Sequence, residues 1–273
     1  MQQIPRGGIG EGQARKAQGM PPAMTPIPTA ARPPPDSTCG PAPVPQEILE
    51  RWNLDPVLIA CLCLMTAVAL LRVRTPAGRW GIGAGAAVLA VAFVSPVCAL
   101  SSALFSARIL HHLLLVALAA PLLAAALPRS VGSRIPSGPA VVLHAVLFWT
   151  WHAPAPYEAA LQSGAVYWLM ELSLLGSAVL LWGAVLDARR HVSGILALLA
   201  TMAHMGLLGA LLTFAASPLY APHLAATGAW GLSPLQDQQI AGLFMWTFGA
   251  LPYLAAAVML TVRRLDTAPG RAP

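Results

Sequence analysis

The sequence predicts an all-α polytopic membrane protein: a bundle of about seven transmembrane helices, N-terminus outside and C-terminus cytoplasmic. Three observations predict it. Of 273 residues, 57% are hydrophobic and only 10% charged, against about 25% charged in an ordinary soluble domain. Mean hydropathy is +0.66, and apolar runs near or above 18 residues, the length that crosses a bilayer, recur along the chain. Arginines also concentrate in alternate loops, as the positive-inside rule demands.

Residues 1–48 are read as a disordered, proline-rich tail. PPAMTPIPTAARPPPDSTCGPAPVP has too few apolar side chains to form a core. No apolar stretch follows the first basic residues, so no signal peptide is read, and Met20 and Met24 are alternative starts. Residues 49–265 hold the membrane domain, and 266–273 a cytoplasmic tail. The spans are placed at about 55–73, 81–100, 107–127, 139–152, 165–186, 194–215 and 239–262. The fourth, PAVVLHAVLFWTWH, is short, which implies tilt or an earlier start. No internal repeat is seen.

Orientation follows from the loops. Arg72, Arg74 and Arg79 follow the first span, Arg129 and Arg134 the third, Arg189 and Arg190 the fifth, and Arg263, Arg264 and Arg271 the seventh. The loops after the fourth and sixth have neither Lys nor Arg, and the loop after the second has only Arg108. Odd loops are therefore cytoplasmic. The net charge of +6 is spread over these short loops and is not a nucleic-acid footprint. Lys16, in the tail, is the only lysine, which excludes a retinal Schiff base.

Cysteine usage is uninformative for disulfides. Cys39 falls in the tail, and Cys61, Cys63 and Cys98 lie in or beside apolar segments. Cys61 and Cys63 are two apart, face different sides of a helix and do not make a C-x-x-C site. All are read as small buried hydrophobes.

On this topology, polar groups from separate helices reach the same membrane half. His111 and His112 lie one turn inside the third span. His152 ends the fourth, and Glu171 is two turns into the fifth. His204 lies near mid-depth of the sixth, and Asp237, Gln238 and Gln239 open the seventh. Polar side chains within a bilayer face the bundle interior or a cavity. His111 and His112 differ by about 100° around a helix, so only one is expected to face a common point. Arg108 shares a face with His112 and is read as snorkelling to the interface. His144, nearer the cytoplasmic side, and His191 and His223, in loops, are set aside. Asp237 also suits a helix N-terminus electrostatically.

Imidazole, carboxylate and thioether donors in one place suit a transition metal, and copper if Met170, Met202, Met205 or Met245 takes part. Two other chemistries stay open on the residues alone. Histidines on facing helices can hold haem iron, which makes a membrane redox protein. Ionisable groups at depth can also line a copper or proton transport path. No nucleophile motif, phosphate loop or H-E-x-x-H is present.

Four segments resemble one family, the CtaG-type assembly factors of caa3-type cytochrome c oxidase. They are SPVCALSSALFSARILHHLLL (95–115), WTWHAPAPYEAAL (149–161), MAHMGLLGALLTFAASPLY (202–220) and LSPLQDQQIAGLFMW (232–246). The last is the most specific. The resemblance runs from WNLDP (52–56) to the seventh span. It implies a multi-helix protein of the bacterial inner membrane, with no turnover chemistry, that works with cytochrome c oxidase subunits and supplies copper to the oxidase. His112, His152 and His204 stand at family histidine positions, and Asp237-Gln238-Gln239 matches the family's D-Q-Q. Two positions depart. Arg108 stands where the family's H-M-x-x-H has its first histidine, and Glu171 where an E-H pair has its histidine. Glutamate and methionine ligate copper; arginine does not. The expected site is copper held by His112, His152, His204 and Glu171, with Asp237, Gln238 and Gln239 orienting the imidazoles from behind.

Overall fold

The computed structural model describes residues 38–126, 136–186 and 191–266. The described residues are all-helical, with no strand. The tail reading for residues 1–37, the loop arginines 129, 134, 189 and 190, and residues 267–273 lie outside them.

Four helix starts are written in the sequence as a capping side chain followed by proline. Asp55 accepts hydrogen bonds from the N–H groups of Val57 (2.7 Å) and Leu58 (3.1 Å), with Pro56 at the first position, and opens α1 (Pro56–Arg72). Thr75 and Pro76 do the same for α2 (Pro76–Phe93), and Ser95 and Pro96 for α3 (Pro96–Ala103). Ser233, Pro234 and Gln236 close a capping box on α9 (Pro234–Trp246). The logic is common to all four: the side-chain oxygen satisfies an orphan N–H, and proline lacks the N–H that would be orphaned. Pro96 also ends the second apolar segment at Phe93, because the residue before a proline avoids the helical region. The single helix expected over 81–100 is therefore α2 followed by α3.

α4 (Phe105–Ala126) contains a π-helical turn over Leu114–Ala119. Pro121 explains it: it has no N–H for the carbonyl one turn back, and its ring displaces that carbonyl. Two side chains use the loosened backbone, since the Val116 carbonyl accepts from Trp182 Nε1 (2.9 Å) and Tyr253 Oη (3.4 Å). There follow α5 (Ser137–His152), α6 (Pro154–Gln162), α7 (Gly164–Val185), α8 (His191–Thr213), α9, and α10 (Ala250–Asp266).

Among the described residues, five helical stretches are long and apolar enough to cross a membrane: Pro76–Phe93, Phe105–Ala126, Gly164–Val185, His191–Thr213 and Pro234–Leu265, the last running through α9 and α10. α1 has 17 residues and α5 has 16, so at about 1.5 Å per residue each falls short of a core of about 30 Å. Leu64, Met65, Leu71, Val142, Leu169, Leu196 and Leu251 point outward. A soluble surface would not carry so many, and lipid is the solvent that accepts them. The chain is a multi-pass membrane protein. α4 is the most buried of the five spans. Where α8 crosses α9, a Cβ on Gly242 would meet the Gly209 carbonyl at 2.5 Å, so glycine there sets how closely the two backbones approach.

The end of the bundle where α4 begins is covered. Residues 38–47, read as tail, are tied down by a Cys39–Cys98 disulfide with the Cα atoms 5.1 Å apart. Trp230 Nε1 donates to the Pro43 carbonyl, and Asn53 to Thr38. This corrects the cysteine reading: Cys39 and Cys98 are paired, and Cys61 and Cys63 are exposed on α1.

Candidate metal centre

The site is built on the first two turns of α4. Leu104, in the cap position, has no side-chain acceptor. Asp237 of α9 supplies one: it accepts from the N–H of Phe105 (2.6 Å), the N–H of Ser106 (3.1 Å) and the Ser106 hydroxyl. A carboxylate at a helix N-terminus is favoured by the dipole and by two orphan donors. Its hydrogen bonds thus fix the start of α4 rather than an imidazole. Gln238 accepts from Leu219 N–H (2.7 Å) and donates to the Leu212 carbonyl (3.4 Å), so it ties α8 to its following loop. Gln239 is half-buried and shares none of these contacts.

Fixing α4 in this phase turns Arg108, His111 and His112 inward onto Glu171 of α7. One carboxylate oxygen, Glu171 Oε1, is met by Arg108 Nη1 at 3.3 Å, His112 Nε2 at 3.6 Å and His111 Nδ1 at 3.7 Å. All four side chains are at most 1% exposed. Arg108 does not snorkel. Its guanidinium lies 5.4 Å from the Tyr167 ring centre, where the aromatic face adds attraction. His111 belongs to the group as well, packed edge-on against Phe93. Adjacent imidazoles reach one oxygen because Glu171 stands between their directions and each side chain swings toward it.

His152 completes the set. Its Nδ1 lies 2.7 Å from the Phe148 carbonyl, and its Nε2 lies 3.4 Å from His112 Nδ1. A carbonyl only accepts, so His152 carries its proton on Nδ1 and its Nε2 is a lone pair. His112 Nδ1 must then donate, which leaves the lone pair of neutral His112 on Nε2, facing the carboxylate. The Arg108 guanidinium already stands beside Glu171 Oε1, at 3.3 Å. His112 Nε2, both His111 nitrogens and Glu171 Oε2 have no hydrogen-bond partner. His111, His112 and Glu171 each offer one ligand atom, all within 4.8 Å of one another. Metal–nitrogen and metal–oxygen bonds of about 2.0 Å fit between atoms at this spacing. The donor set suits a metal, and Arg108 supplies a positive charge but no ligand.

His204 lies elsewhere. Its ring meets those of His144, at 6.2 Å between centres, and Phe148, at 5.7 Å. The structure therefore brings His112, His152 and Glu171 together and seats His204 with a different partner. Met170, Met205 and Met245 belong to the apolar core. Met202 lines an outward groove with Leu199, Leu207 and Trp246.

A second polar group sits at the covered end. Tyr157 Oη is 2.7 Å from His223 Nε2, and Tyr220, stacked on Phe105, donates to the His152 carbonyl at 2.7 Å. Burial pushes His223, in the loop after α8, down to about 3, so it is neutral at pH 7. A narrow cavity lined by Thr38, Cys39, Ser102, Arg108, Gly164 and Tyr167 lies between the disulfide and Arg108.

Sequence reasoning expected only one of His111 and His112 at the site, set aside His144 and His223, and took Arg108 outward. For Arg108 a signal existed, since Glu171 at similar depth offered a counter-charge. For His144 and His223 the partners, Ser177 and Tyr157, carry no metal signature.

The family model for the cytochrome c oxidase caa3 assembly factor matches residues 64–267. No curated protein and no solved structure matches the chain.

Proposed function

The chain belongs to the cytochrome c oxidase caa3 assembly factor family, and from that premise we propose that it binds copper and hands it to the oxidase. It does so without enzymatic turnover, from a seven-helix bundle in the bacterial inner membrane. Two features support an outward-facing site. The arginine-poor loops fall at the covered end. The Cys39–Cys98 disulfide lies at that same end, and disulfides persist on the oxidising side of a membrane. Both features support the reading that the N-terminal side is outside and the C-terminus in the cytoplasm, with α1 and α5 as the two shorter, tilted crossings.

The observation that carries the copper reading is the proton order along Phe148, His152 and His112. In a neutral His112 it makes Nε2 the lone-pair nitrogen, 3.6 Å from Glu171 Oε1. Imidazole favours copper, and a coordinating imidazole is best held by a hydrogen bond to its other nitrogen. His152 does this for His112. Arg108 selects oxidation state. With neutral imidazoles, Arg108 and Glu171 sum to zero, so Cu(I) leaves the buried site at +1 and a divalent ion at +2. The cost of burying charge rises steeply with its magnitude, so the site favours the monovalent ion.

The cargo is released by ligand exchange to oxidase subunits at the covered end, where the cavity beside Cys39 leads to Arg108. Purified protein, loaded anaerobically with Cu(I) and desalted, is expected to retain copper. His112→Ala and His152→Ala are expected to lose it from this seat. Copper retained equally by wild type and both variants sinks this seat, and copper retained by none sinks the copper role.

A further inference from the structure

Two turns of α5 beyond His152, about 12 Å along the axis, a second pair of imidazoles meets in the core. His144 is fully buried. Its Nδ1 lies 2.9 Å from Ser177 Oγ, and that hydroxyl gives its one proton to the Leu174 carbonyl at 3.1 Å. With Ser177 donating to that carbonyl, it accepts from His144, which carries its proton on Nδ1 and leaves Nε2 a lone pair. That Nε2 has no hydrogen-bond partner. The ring of half-buried His204, on α8, lies 6.2 Å away between ring centres, and both its nitrogens are closed off without a partner. In either tautomer one of them is a lone pair.

Two unpartnered lone-pair donors in an apolar core are costly, and a cation shared between them removes that cost. With metal–imidazole bonds of about 2.0 Å and ring nitrogens about 1.2 Å from their centroids, imidazoles on opposite sides of one ion stand about 6.4 Å apart. The observed separation is 6.2 Å. Phe148 packs against both rings, at 5.8 Å and 5.7 Å, and Thr201 turns its hydroxyl to the Ala197 carbonyl. No carboxylate pairs with either ring among the described residues. Two neutral nitrogens and no anion suit a soft monovalent ion that accepts two ligands, and disfavour a divalent one.

We propose that His144 and His204 form a second Cu(I) seat, two-coordinate and distinct from the Glu171 cluster. It rests on the copper reading above for the identity of the cargo. The protein then holds two ions, one near the covered end and one deeper, with His152 and His144 on the same face of α5.

The test is anaerobic Cu(I) titration of the full chain in detergent, scored as copper per chain. Wild type is expected to bind two, His144→Gln one, and His112→Gln one. His204→Gln is expected to match His144→Gln, which guards against a variant that simply misfolds. X-ray absorption of the copper left in His112→Gln should show two nitrogen neighbours. If wild type binds one ion, lost in His112→Gln and kept in His144→Gln, the deep seat is overturned and the outer site stands. If the one ion is lost in His144→Gln and kept in His112→Gln, the deep seat stands and the outer site fails. Sulfur neighbours, or no copper at all, overturn the deep seat.

Discussion

Arg108 Nη1 lies 3.3 Å from Glu171 Oε1 in the middle of a membrane bundle, with both side chains closed off from solvent. Each charge is tolerable there because of the other. Removing one partner of a buried pair leaves an uncompensated charge and costs about 3–5 kcal/mol, whereas replacing both is often neutral. Arg108→Gln and Glu171→Gln should each lower the melting temperature in detergent. The double variant should recover much of the loss, and additive losses would show that the two side chains do not act as a pair.

The disulfide holds residues 38–47 onto the bundle. Its loss, in Cys98→Ser, is expected to cost about 2–4 kcal/mol, read as lower thermal stability. In intact cells, an impermeant thiol reagent should label Cys39 in that variant and not in wild type. Labelling only after the membrane is opened would reverse the assigned orientation.

Trp182 satisfies the Val116 carbonyl inside the π turn of α4. Trp182→Phe keeps most of the apolar volume and removes the donor. The carbonyl left unsatisfied should cost about 1–3 kcal/mol. Hydrogen exchange over 114–119 should quicken relative to the rest of α4; unchanged exchange would contradict the contact.

His223 makes stability depend on pH. Burial holds it at about 3 in the folded protein, against about 6.5 unfolded. A depressed value means its contribution is intact above about pH 6.5 and is lost progressively as pH falls towards 3. Melting temperature should decline over that window, and His223→Gln should decline less steeply. Parallel curves would remove His223 as a source.

Much of the site was legible from depth alone. Placing His112, His152 and Glu171 in one membrane half required only span boundaries and the cost of polar groups in lipid. Partners around the bundle axis were not legible. His204 and His112 both lie in spans, yet one meets His144 and the other His152. That depends on how α5, α7 and α8 rotate against each other, which span boundaries do not fix. The disulfide joins residues 59 apart, and proline-rich composition hid one end of it. Arg108 read as an anchor because its counter-charge is 63 residues away. Asp237 lies in the first turn of its own helix, as its position suggested, and its carboxylate also caps α4, which the sequence did not show.

The central claim is that the cluster around Glu171 supplies copper to the oxidase. It is tested most directly by the copper-to-haem ratio of oxidase purified from a strain lacking this protein and complemented with His112→Ala at wild-type abundance. The account predicts oxidase with its haem present and its copper deficient, restored by the wild-type gene. A copper-replete oxidase from the His112→Ala strain would contradict it.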